Sequence, residues 1–254
     1  MNILKKLVQI IFIISIITFV ATFFFKETLP SPERINSQLT QAPIQTEGYR
    51  KPFTIEKEDG TYTLEPLFDY ELYGLITADY NSENFFDFIH KRSNDEINTK
   101  DICVVWGENI SSGIYEKINY THGEFTCYAK LKSSYNTREW WEKFDVYELS
   151  NNHLIPANDA IYQKMKSSSP GDQVHLKGYL VKYQWLDSDG NEWSRSTSTT
   201  RNDTGNASCE TIYVTSYEII VPGNEIVNLA HSISIYTAAI SLIVLAILAY
   251  VTYS

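Results

Sequence analysis

Apolar and polar positions alternate most regularly between Gly171 and Tyr217. Val174, Leu176, Tyr179, Val181 and Tyr183 fall mostly two apart, the period of a half-buried strand. Asp187 to Asn191 (DSDGN) supplies turn residues, so residues 192–200 are expected to return antiparallel. Residues 211–220, rich in β-branched and aromatic side chains, add a third strand. Upstream, residues 62–77 alternate as one or two strands, and 101–107 (DICVVWG) form a short apolar run of buried-strand type. Residues 113–120 and 124–131 frame a hairpin around Thr121, His122 and Gly123, and 144–149 follow Trp140 and Trp141 as a further strand. Two stretches switch to helical spacing. In residues 82–91, Phe85, Phe86 and Ile89 share a face behind a possible Ser82 cap. In residues 156–165, Asn158 can cap while Ile161 and Met165 lie four apart. The pattern predicts an α+β, mainly β domain over residues 61–222, a small antiparallel barrel or sandwich.

The two ends lack any such alternation. Residues 7–25 and 233–253 are uncharged and apolar on every face, each close to the length that spans a bilayer. They are read as two transmembrane helices, the first an uncleaved anchor behind a six-residue tail. Lys5 and Lys6 ahead of the first span point to cytoplasmic termini and an extracytoplasmic domain in a two-span membrane protein. Between the first span and the domain, residues 26–60 contain Pro30, Pro32, Pro43 and Pro52 without a sustained period, which reads as a tether.

Charge narrows the partners. All 31 acidic residues lie between Glu27 and Glu225, with 18 basic ones, so this region carries −13. Such a domain is repelled by phosphate backbones, so no nucleic-acid partner is expected. The expected partners are the lipid bilayer and a protein. Eighteen Tyr and five Trp suit a β-rich core or an interaction surface.

Candidate chemistry is sparse. Asp187 to Glu192 has the composition of a calcium loop, but Gly190 stands fourth and Ser198 twelfth, so a hairpin turn fits better. No metal site and no cofactor is expected, and no catalytic residue is assigned. Cys103, Cys127 and Cys209 have no zinc spacing; Cys103 and Cys127 lie in strand-like runs and are the candidate disulfide. Residues 194–208 gather hydroxyls around Arg195, Arg201 and Asp203. With Trp185 and Trp193 they form the candidate ligand surface, Arg201 gripping a carboxylate. Glu139 to Glu142 (EWWE) is a possible partner-binding knob. Histidines at 90, 122, 153, 175 and 231 do not converge in sequence, although a triad assembles only in space.

GDQVHLKGYLV resembles the strand-opening segments of oligonucleotide/oligosaccharide-binding folds, where a glycine permits the coiling that closes the barrel. GDQVHLKGYLVKY, TSTTRNDTGNASCETIYVTSYEI, DICVVWG and SGIYEKINYTHGEFTCY together resemble uncharacterised bacterial membrane-anchored proteins over roughly residues 65 to 220. That resemblance implies no activity, and it makes the sequons at Asn109, Asn119, Asn202 and Asn206 irrelevant to glycosylation. The expected function is a non-catalytic interaction or assembly component of a bacterial cell envelope. Two alternatives are an extracytoplasmic sugar- or peptide-binding module and a membrane-tethered hydrolase.

Overall fold

The computed structural model describes every residue except Met1, Tyr49, Asp59, 83–94, 124–125, Ser188, 204–207 and Ser254. Its regular elements, in order, are α1 (Asn2–Phe23), β1 (Ile44–Glu47), β2 (Phe53–Lys57), β3 (Gly60–Asn81), β4 (Lys100–Val105) and α2 (Gly107–Ser111). There follow β5 (Ile118–His122), β6 (Cys127–Leu131), α3 (Arg138–Trp141), β7 (Leu149–Pro156) and α4 (Asp159–Ser167). The last are β8 (Gln173–Leu186), β9 (Glu192–Arg195), β10 (Glu210–Val221) and α5 (Glu225–Tyr253). They divide into a helical unit, Met1–Thr28 with Asn224–Ser254, and a β unit, Leu29–Gly223.

In the β unit, five strands close on themselves. β3 pairs with β4, β4 with β7, β7 with β10, β10 with β8, and β8 again with β3. Only β7 and β10 run parallel; the other four pairings are antiparallel. A parallel pair needs a long crossover, and α4, β8 and β9 all lie within it. Asn158 starts α4 by accepting from the Ile161 amide at 3.1 Å, and Ile161 and Met165 turn into the core.

Closure requires curvature. β3 is one strand of 22 residues, with register shifts between Pro66 and Phe68 and between Ile76 and Ala78 that bend it round the barrel. Gly178 of β8 faces the shift between Val214 and Ser216, where a Cβ would lie 2.0 Å from the Tyr213 carbonyl oxygen. Alternation places Leu72, Ile76, Ile102, Val104, Leu154, Leu176, Leu180, Ile212 and Val214 in one buried cluster. A second cluster buries Tyr62, Leu64, Tyr183 and Trp185 against Ile97 and Ile155.

Several boundaries differ from the sequence expectation. The supposed tether is folded: β1 and β2 pair with β3, and Leu39 is fully buried beside Leu75, Val105 and Tyr115. Its prolines sit in turns and between short edge strands, where no ladder hydrogen bond is lost. Residues 144–148 form a loop and a 3-10 turn rather than a strand. The return strand stops at Arg195 instead of 200. The expected helix over 82–91 falls, beyond Ser82, outside the described residues.

In the helical unit, α1 and α5 are each long and apolar enough to cross a membrane. The first helix ends at Phe23, two residues before the expected limit, and the second begins at Glu225, eight earlier. The two pack together through Phe19, whose ring stacks on His231 at 4.8 Å, and through Thr22 Oγ1, 2.9 Å from His231 Nδ1. Hydroxyls turned inward (Ser15, Ser234 and Ser241) are buried, while most isoleucine and leucine side chains face outward.

Candidate functional site

The strand register sets the site. Asp101 of β4 is opposite His153 of β7, Cys103 is opposite Asn151, and Thr211 of β10 is opposite His153. Since Ile102, Val104, Leu154 and Ile212 point into the barrel, these five residues point outward. Strands β5 and β6, residues 196–203 and residues 208–209 lie over that outer face. His122 of β5 places Nε2 2.8 Å from Asn151 Oδ1, and Thr211 Oγ1 donates to the Ser196 carbonyl at 2.9 Å.

Buried charge gathers along this face. Asp101 Oδ1 lies 2.7 Å from His153 Nδ1 and accepts from Asn98 Nδ2 at 3.0 Å. Arg195 Nη1 approaches the same imidazole nitrogen at 3.1 Å, and its Nη2 lies 3.5 Å from Asp95 Oδ2. Tyr183 donates to Asp95 at 2.6 Å. Burial alone would raise the Asp101 pKa, but the His153 charge and hydrogen bond outweigh it and hold the carboxyl at about 2. Burial likewise opposes charge on His153, yet Asp101 raises the ring to about 9.

Beside this network a cleft of about 420 Å³ is lined by Trp106, Asn151, Arg201, Asp203, Cys209 and Glu210, among others. Arg201 Nη1 donates to Glu210 Oε1 and to Tyr70 Oη. Its other edge, Nε and Nη2, is buried without a hydrogen-bond partner among the described residues, as is Glu210 Oε2. Burial pushes the Glu210 carboxyl up to about 7, although Arg201 opposes the shift. Asp203 accepts from Ser198 Oγ at 2.6 Å.

The five residues singled out by sequence as a ligand surface do not form one. Trp185 is buried, stacked between Tyr62, Tyr183 and Trp193 at 5.1–6.4 Å. Trp193 is 36% exposed and donates Nε1–H to Asp187. Arg195 belongs to the buried network, and only Arg201 and Asp203 reach the cleft. In the EWWE segment, Trp140 packs on Tyr135 while Trp141 is exposed.

The sulfurs lie on the same face. Cys103 and Cys127 are joined in a disulfide, with Cα atoms 5.7 Å apart. His122 comes within 4.8 Å of both sulfurs, but the disulfide uses up the thiolates a metal would need. Asn151 contacts Cys127 Sγ at 3.6 Å through Oδ1 and Cys209 Sγ at 3.5 Å through Nδ2. Cys209 is also hydrogen-bonded to His153. Sequence reasoning missed this cluster, because positions 101 and 153 meet only through the antiparallel β4–β7 register, and 209 joins them only through the parallel β7–β10 register. Compared with protein-family models, curated proteins and solved structures, the chain finds no match.

Proposed function

We propose that this chain is a non-catalytic, membrane-anchored interaction component of a bacterial cell envelope, with its β unit outside the cytoplasm. The β unit is read as a recognition module of the oligonucleotide/oligosaccharide-binding type. Support for that type comes from the five-strand closure with its single parallel pair and a helix linking β7 to β8. The observation that carries the reading is the buried edge of Arg201 beside the cleft, which has no hydrogen-bond partner among the described residues. Nε and Nη2 are the two donors that grip a carboxylate in parallel. The acidic surface disfavours polyanions, so the group recognised is a single carboxylate on a peptide or a sugar acid.

The test is binding of the full chain in detergent to arrays of acidic glycans and peptides. Arg201→Lys should weaken the selected ligand by about tenfold or more, since an ammonium keeps the charge but loses the two-point grip. Equal affinity for both proteins would refute the Arg201 site. Turnover of any bound ligand would refute the non-catalytic reading.

A further inference from the structure

Recognition at Arg201 leaves the sulfur chemistry of the same cleft unused. Three strands and their connections align a thiol, an imidazole and a carboxylate: Cys209 is hydrogen-bonded to His153, and His153 Nδ1 lies 2.7 Å from Asp101. A nucleophile, a base and a third group that orients the base form the arrangement that activates a weak nucleophile. Arg195 approaches the same ring nitrogen that faces Asp101, and Asp95 in turn pairs with Arg195. Asp101 keeps the ring cationic at neutral pH, and an adjacent cation stabilises a thiolate.

An electrophile for that thiolate, the Cys103–Cys127 disulfide, lies across a single side chain from it. One amide group, that of Asn151, separates Cys209 Sγ from Cys127 Sγ. Cys127 and Cys209 both line the cleft, whereas Cys103, the other half of the disulfide, is fully buried. Cys127 is therefore the sulfur open to attack.

We propose that Cys209 exchanges with the Cys103–Cys127 disulfide by attacking Cys127. The Cys209 thiolate, its proton released to solvent and its charge held by the cationic His153 ring, bonds to Cys127 Sγ as the Cys103–Cys127 bond breaks. The electron pair leaves on Cys103, which takes up a proton from solvent. One disulfide and one thiol are present before and after, so no oxidant is consumed. The covalent tie moves from β4–β6 to a link between β6 and the segment that leads into β10. The exchange stands independently of what the cleft recognises.

Non-reducing peptide mapping of the full chain in detergent tests it. Cys103→Ser, oxidised with glutathione disulfide, should give a Cys127–Cys209 cross-link in most molecules. Two separately glutathionylated or unmodified cysteines would overturn the proposal. If circular dichroism shows that this variant is unfolded, wild-type protein equilibrated in a glutathione buffer and acid-quenched decides instead. A Cys127–Cys209 peptide is then expected, and its absence overturns the exchange. Iodoacetamide labelling of Cys209 supplies the readout for His153. At neutral pH, His153→Gln should slow that labelling by about tenfold, since a neutral amide cannot hold a thiolate. An unchanged rate would remove His153 from the step.

Discussion

At the scale of single residues, the costliest commitment is the ion pair Asp101–His153, inaccessible on both sides. Buried pairs add little over apolar packing, but removing one partner strands the other, at about 3–5 kcal/mol. Asp101→Asn should therefore lower the chemical stability of the full chain by about that amount, read from denaturant midpoints. The pH response follows from the ring. His153 rises from 6.5 to about 9 on folding, so its contribution is complete below pH 6.5 and is lost as pH climbs to about 9. Wild-type unfolding midpoints should fall across that window, and His153→Gln should flatten the fall. Glu210 acts in the same direction at lower pH. Its carboxyl rises from 4.5 to about 7, so stability declines as pH passes from 4.5 to 7.

At the scale of elements, the disulfide closes a loop over a sequence separation of 24 and ties hairpin β5–β6 to the barrel wall. Chain-entropy arguments give about 3 kcal/mol for such a loop. Cys103→Ser with Cys127→Ser should lose roughly that much in the same denaturation assay, with the hairpin losing amide-exchange protection first. Gly178→Ala should be harsher, because the new methyl meets a backbone carbonyl that cannot rotate away. These elements also mark how far the sequence could be read. β8, its turn and β10 were legible because a period of two with one buried face is hard to imitate. β1 and β2 were not: four and five residues with largely exposed faces look like linker until a partner strand supplies their hydrogen bonds. Arg201 was legible as an isolated donor in a polar loop. The Trp185 environment was not, because an indole looks the same in sequence whether it stacks in a core or on a ligand.

At the scale of the whole molecule, two apolar helices flank a β unit, Leu29–Gly223, that carries 18 basic and 29 acidic residues, a net charge of −11. In intact cells, added protease should cut the β unit while tags at both termini stay protected; protection of the β unit would reverse the proposed orientation. The parallel pairing of β7 with β10 carries a consequence for biosynthesis. β7 waits through α4, β8 and β9 for its last neighbour, and β10 ends at Val221, immediately before the second apolar helix. A growing chain halted before residue 210 would present β7 and β8 as two open edges, and open edges recruit other chains. Contacts this distant in sequence also form slowly. Barrel closure therefore comes just before the second apolar helix is made. A stalled or truncated product would be a target for chaperones and proteases, not a smaller working protein.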